Sequence, residues 1–275
     1  MRPLRLNGGI AQAGLLAAAA IVVFPFLWIT AAGFRSRISL IMGEFWFTPI
    51  IDNFNELLFS GTSDFLQNFM NSVIVGTAST AIVLAISTLG AYSLARLEWP
   101  RWLVYALLLW SVVFHILPAI TLVGAWYFFF RWARLYNTYA GLVLAHVALN
   151  LPLALWLMTA FMREVPKELE EAARIDGCSI PNLIWRVILP VILPGLVAVA
   201  MLVFISSWNE FVVTLNLSAK HTQTVPLAIA KYAQENEIKF GEMAAGSALS
   251  VIPALLLLLI GQRYIVRGLT AGAVK

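Results

Sequence analysis

The chain has 275 residues, 61% of them apolar and only 12% charged, against about 25% charged in an average soluble protein. With a mean hydropathy of +0.85, this excludes a disordered chain and an ordinary soluble domain, which needs more charge to cover its surface; the natural solvent is lipid. A net charge of +4 then reports membrane topology rather than nucleic-acid binding, and a lone cysteine, Cys178, excludes an internal disulfide and a cysteine-cluster metal site.

A membrane-crossing helix needs roughly 20 mostly apolar residues. Six stretches qualify, at about 10–33, 69–95, 102–127, 138–162, 187–215 and 243–265. They predict an all-α integral membrane protein, a single transmembrane domain over 1–275. Barrel strands are short and alternate apolar with polar, whereas these runs are long and apolar all round. The first run exceeds the 7–15-residue core of a cleaved signal peptide and reads as a retained span. With the N-terminus inside, cytoplasmic segments hold 11 Lys and Arg and outer segments 7, with the larger set in shorter loops close to helix ends. This bias predicts both termini in the cytoplasm. Pro118, Pro152, Pro194 and Pro253 fall in or at the ends of spans. In lipid such prolines are tolerated where neighbours or water take up the freed carbonyls, so they mark kinks used for packing, cavities or hinges.

The chain lacks the residues of an enzyme. No Gly-Lys dipeptide occurs, so there is no P-loop. His115, His146 and His221 lie far apart, and no GxSxG elbow is present. His115 and His146, single polar residues on apolar helices, read as helix–helix hydrogen bonds. Glu210 is the only acid placed inside a span, so the carboxylate pairs of a proton relay are missing. Any driving energy is therefore expected from another subunit, and an ion-coupled secondary carrier is the weaker alternative.

The most charged stretch lies between spans four and five, from Arg163 to Gly177. It predicts a short helix: Pro166 suits the first turn, Glu168 sits near the positive dipole end, and Gly177 is a natural αL stop. Ser179 reads as the N-cap of a second short helix, from Ile180 to about Leu189, with Pro181 in its first turn. The elbow spans about 163–186. Its first helix has a small face at Ala172 and Ala173, with Glu170, Glu171 and Arg174 placed to form ion pairs at the rim.

These residues carry a resemblance. Glu171-Ala172-Ala173, then Gly177, Val187 and Leu189-Pro190 closely resemble the EAA signature of ABC importer permeases, with Val187 where the family usually has Ile. Asn53-Phe54 with Leu58-Phe59, Asn71-Ser72, Ala91 to Arg96 with Pro100, Leu135 to Gly141, Trp208-Asn209-Glu210 and Arg267 to Lys275 are similar to successive segments of sugar permeases. The chain thus resembles a carbohydrate ABC importer permease subunit of the maltose type, over nearly its whole length.

The resemblance implies a type I ABC importer permease fold without a catalytic site of its own. It implies an inner-membrane location and partners: a second permease subunit, two cytosolic ATPase subunits that carry ATP and Mg, and an extracytoplasmic sugar-binding protein. The elbow becomes the coupling helix, with Glu171, Ala172, Ala173, Asp176 and Gly177 as its contact and turn residues. The tail, 266–275, reaches the ATPases through Gly268, Leu269, Thr270, Ala271 and Gly272. Trp208, Asn209 and Glu210 either line the translocation path or form an interfacial aromatic and acid. The outer loop from about Asn216 to Gly241 meets the binding protein or simply connects. The implied substrate is a sugar or oligosaccharide; a polyol or glycerol-phosphate-type substrate is the alternative, left open by Arg131 and Arg134 at the outer mouth.

Overall fold

The structure is a computed structural model that describes residues 8–233 and 238–271. Among these residues every regular element is a helix. The chain divides into two compact units: Met1–Leu66 with Ala228–Ile252, and Gln67–Leu227 with Pro253–Lys275.

The first unit begins with α1 (Gly8–Gly33), followed by the short helices α2 (Arg37–Met42) and α3 (Asp52–Phe59). Asn53 fastens this turn, its amide donating to the carbonyls of Gly33 at 2.8 Å and Arg35 at 2.9 Å. The Arg35 guanidinium lies 4.3 Å from the Phe47 ring centroid and 5.0 Å from that of Trp28, so the cation is held by aromatic faces. The apolar side chains of α1 stay exposed along its length, the condition of a helix whose surroundings are lipid or another chain.

The second unit is built on α4 (Phe65–Arg96), which starts at the junction of the two units, α5 (Arg101–Ile116), α6 (Ala119–Trp132), α7 (Tyr139–Glu164) and α10 (Leu189–Trp208). Helix α5 packs along α7, and α7 along α10. The shared core includes Val83, Leu142, Met158, Ile188 and Val199, all buried. Gly195 of α10 permits the last approach: a Cβ there would sit 2.5–2.7 Å from ring atoms of Phe161 on α7. Small residues at helix contacts in lipid serve this purpose.

The third predicted span, 102–127, is not one helix. It is the pair α5 and α6, bent by 95° at Leu117–Pro118 and continuing to Trp132. Pro118 offers no N–H to the helix and pushes its predecessor out of the α region; Leu117 accordingly has φ −66° and ψ 126°. At 1.5 Å per residue the 16-residue α5 is about 24 Å long, short of a hydrocarbon core of about 30 Å. Among the described residues, the five helices long and apolar enough to cross a membrane become six if this bent pair is one span.

The fifth span also differs from expectation. One continuous helical run, Ile180–Trp208, comprises α9 (Ile180–Leu183), a π turn (Ile184–Ile188) and α10. The Leu189 N–H reaches back to the Ile184 carbonyl, and the wider turn accommodates Pro190, whose ring displaces the carbonyl four residues behind it. The run ends at Trp208, and α11 (Val212–Leu217) is a separate helix. Residues 216–241, expected as a loop, contain α12 (Val225–Lys231). The last helix, α13 (Phe240–Ala271), extends past the expected end of span six at 265.

Gly195→Ala is expected to cost about 1–3 kcal/mol by overpacking and to lower the thermal midpoint of the purified subunit. Gly124→Ala, where a Cβ meets nothing within 4 Å, serves as control. Equal midpoints for both variants would contradict the close approach of α10 to Phe161.

Candidate functional site: the elbow between α7 and α10

The elbow is a nine-residue helix, α8 (Lys167–Ile175), hung between the end of α7 and the start of α9. Pro166 stands at its N-cap rather than inside its first turn, and Glu168 lies in that turn, where a carboxylate favours the exposed N–H dipoles. The helix stops by a left-handed glycine turn. Gly177 has φ +78°, its N–H donates to Arg174 O at 3.0 Å, and the Cys178 N–H donates to Ala173 O at 2.9 Å. These two bonds satisfy carbonyls that a helix end otherwise leaves bare. Cys178 and Ala173, joined by that bond, both pack against the core. Ser179 occupies the N-cap of α9 with extended backbone, but its side chain makes no capping bond.

The inner face of α8 is fixed by charge. Glu170 is 5% exposed and forms an ion pair with Arg96, the last residue of α4. The same guanidinium donates to the Val165 carbonyl at 2.8 Å. Arg174 lies one turn on from Glu170 and donates to the Tyr92 hydroxyl at 3.3 Å. Glu170 is therefore not a rim residue, as the sequence reading has it, whereas Arg174 remains exposed while its guanidinium reaches Tyr92 near the end of α4. In a membrane-buried or desolvated setting a guanidinium prefers such a fork of carboxylate and carbonyl.

With that face anchored, the opposite face is bare. Glu171, Ala172, Asp176 and Gly177 are exposed, and Ala173 is half-buried. Leu169 and Ile175, spaced with Ala172 along one stripe, are 42% and 87% exposed. An exposed apolar stripe between charged residues, on a helix whose other face is tied down, is a candidate contact surface. Sequence reasoning missed Leu169 and Ile175. It also missed the partnership of Arg96 and Tyr92 with this helix. The signal was present: Glu170, Ala173 and Arg174 share one helical face, and Leu169, Ala172 and Ile175 another.

The other predicted residues lie elsewhere. Trp208 is buried between Phe204, stacked at 5.7 Å, and Phe69, edge-on at 5.4 Å. Asn209 is exposed and ends α10. Glu210 is not inside a spanning helix: its carboxylate accepts the Val213 N–H at 2.8 Å, one of the free donors at the start of α11. Of the tail, Gly268 to Ala271 continue the backbone of α13, and Gly272 lies outside the described residues. Neither imidazole forms the expected helix–helix hydrogen bond: His146 is fully buried with both ring nitrogens unpartnered, and His115 lines an open cavity.

The segment after α11 is tied down by side chains singled out in the sequence. Asn71 donates to the carbonyls of His221 and Gln223 at 3.0 and 2.9 Å and accepts from the Tyr139 hydroxyl at 2.6 Å. Ser72 accepts the Val225 N–H at 2.8 Å. Asn137 takes a left-handed backbone, φ 56°, and its side chain accepts from Ala219 N and Thr222 Oγ1, each at 2.9 Å.

A multi-pass membrane protein of apolar helices, with a rigid charged elbow between two of them, is the class defined by fold and site. The chain belongs to the family described as binding-protein-dependent transport system inner membrane component, whose model matches residues 86–271. It is 34% identical to the trehalose/maltose transport system permease protein MalG of Thermococcus litoralis, over 95% of each chain. It is 37% identical to the trehalose transport system permease protein SugB of Mycobacterium tuberculosis, over 92% of each. Its fold is that of a bacterial ABC transporter involved in the import of the acidic polysaccharide alginate, with a TM-score of 0.77 at 19% identity, covering 96% of this chain and 100% of that one.

Removing either half of the buried pair strands a charge, which typically costs about 3–5 kcal/mol. Glu170→Ala and Arg96→Ala are each expected to lower the thermal midpoint strongly, and the double variant by less than the sum of the two. Additive losses in this double-mutant cycle, read by thermal unfolding, would contradict a direct pair.

Proposed function

We propose that this subunit is the transmembrane permease of an ATP-driven, binding-protein-dependent sugar importer, and that α8 is the helix through which cytosolic ATPases drive it. The bare Leu169–Ala172–Ile175 stripe on a clamped helix is the observation that carries this reading. A partner seated on that stripe displaces α8 as a rigid piece, and the Arg96–Glu170 pair passes the displacement to α4. Glu171, Ala172 and Asp176 meet the ATPase, Ala173 braces the helix, and Gly177 makes the turn that keeps it short. Closure of the ATPases around ATP and Mg, which they and not this chain hold, then rocks the membrane helices between two global states.

The sugar substrate is supported by relatives named for trehalose and maltose transport. In this reading a second permease, most simply a different chain, completes the pathway. Both termini and the elbow face the cytoplasm, the membrane is the cytoplasmic one of a bacterium or archaeon, and Gly268 to Gly272 meet the ATPases. The segment 216–227, ordered by Asn71, Ser72 and Asn137, faces outward and offers the binding protein a preformed surface. Asn209 and Glu210 stand at the break that lines the path, with Trp208 as the packing anchor beneath them.

The test is reconstitution of the subunit with its partner permease, ATPases and binding protein in vesicles. ATP-dependent, binding-protein-dependent uptake of a sugar is expected; uptake driven by an ion gradient without ATPase would contradict the reading. In the same system Gly177→Val is informative. Space around its Cβ is open, so the penalty is conformational, about 1–2 kcal/mol for a left-handed β-branched residue. The variant is expected to assemble but to lose most stimulated ATPase activity and uptake, while Gly177→Asn retains both. Wild-type stimulation in the valine variant would remove Gly177 from the lever.

A further inference from the structure

Arg35 stands just past the end of α1, where the long apolar run Ala11–Gly33 gives way to the polar turn Arg35-Ser36-Arg37. Its backbone is pinned on both sides: the N–H donates to Ala32 O at 3.1 Å, and the carbonyl accepts from the Asn53 amide. The chain then passes through α2 and turns at the left-handed Gly43, φ 66°. Phe45 comes to lie 6.3 Å from Trp28 and 5.4 Å from Trp46. The aromatic cage of Trp28 and Phe47 around the guanidinium is thus built by a fastened turn.

What the cage lacks is a counter-charge. Arg35 is 7% exposed, yet among the described residues its side chain has no ion pair and no hydrogen bond, and Nε is sealed without a partner. Glu44 and Asp52, the nearest acids along the chain, are exposed and do not pair with it. Ring faces attract a cation but offer its N–H groups no oxygen, and a buried charge is normally paired and hydrogen-bonded. The two Nη groups are equally unpartnered but are not among the sealed atoms, so they form an open edge that an anion can reach.

The surroundings point to the anion. Ile38, Ile41 and Met42 of α2, and Phe45 and Trp46 after it, are all exposed. Tryptophan and apolar side chains beside a cation, at the end of a helix long enough to span, mark the level of the lipid headgroups. Phosphate is the anion found there, and two N–H donors of a guanidinium match two of its oxygens. A headgroup carrying its own ammonium would bring a second cation against the site. We propose that Arg35, caged by Trp28 and Phe47, binds the phosphate of an anionic phospholipid of the phosphatidylglycerol type, its Nη groups donating to the phosphate oxygens. The site needs a membrane around α1 but is independent of the cargo; the proposed orientation puts it in the outer leaflet.

The complete complex, purified in detergent and stripped of loosely held lipid, tests it. Phosphatidylglycerol or a phosphate-free galactosyl diacylglycerol is titrated in, with and without millimolar inorganic phosphate, and native mass spectrometry counts the lipid retained. The wild type is expected to hold phosphatidylglycerol in preference to the galactolipid. Arg35→Gln should weaken the tightest phosphatidylglycerol site about 10- to 100-fold, as for loss of charge-assisted hydrogen bonds, and leave galactolipid binding unchanged. Arg35→Lys, which keeps the cation, should retain most of the affinity. Equal phosphatidylglycerol binding by wild type and Arg35→Gln overturns the proposal, as for a cation that meets only water or an acid of another subunit. Complete displacement of the lipid by inorganic phosphate overturns it in favour of a free-ion site. Should Arg35→Gln fail to assemble, the wild type still decides, because equal retention of the two lipids also overturns the proposal.

Discussion

Arg96 and Glu170 meet where α4 ends and α8 begins, with side chains only 7% and 6% exposed. Such a pair adds little net stability over an apolar replacement, because desolvating two charges consumes most of their attraction. Its value is directional. The guanidinium holds Glu170 and the Val165 carbonyl together, so the end of α4, the end of α7 and the elbow helix converge on one planar group. This sets the rotation of α8 about its axis. Were α8 free to turn, Leu169, Ala172 and Ile175 would bury themselves against the core, and the outward stripe would vanish.

From that anchor the remaining features follow in sequence. The left-handed turn at Gly177 ends α8 after about two and a half turns, and the chain re-enters a helix at once. The π turn at Ile184–Ile188 contains Val187 and runs directly into Leu189-Pro190, the distal part of the recognised motif. A wide turn of this kind is common at functional positions, and here it joins the elbow to the long run of α10. At the far end of that helix Trp208 is locked between Phe204 and Phe69, so α10 is held at both ends. In the proposed cycle a push on α8 is shared by α4, α7 and α10 rather than absorbed by a loose loop.

The helices were legible because lipid leaves the backbone no alternative to internal hydrogen bonding, and length alone then marks the spans. The elbow was legible through its charge, its glycine and its motif. The turn at Pro118 is visible in sequence as a kink but not as a 95° break, since proline fixes its own φ and its predecessor's region but not what the next helix packs against. Glu170 reads as a rim residue because a charged residue on a short polar helix is normally solvated. Only the arrival of Arg96, 74 residues earlier, reverses that preference, and no local pattern announces it. Trp208 shows the converse: its triplet marks the family, but burial between two rings comes from tertiary packing.

The most direct measurement is site-specific cross-linking from Ile175→Cys in a Cys178→Ser background, using the assembled transporter in sealed membranes. A cross-link to the ATPase subunit is expected, with a yield that changes when ATP binds. Labelling of the introduced thiol by a membrane-impermeant reagent is likewise expected only from the cytoplasmic side. Labelling from outside, or the absence of any ATPase cross-link across reagents of different length, would contradict the elbow as the site where the motor acts.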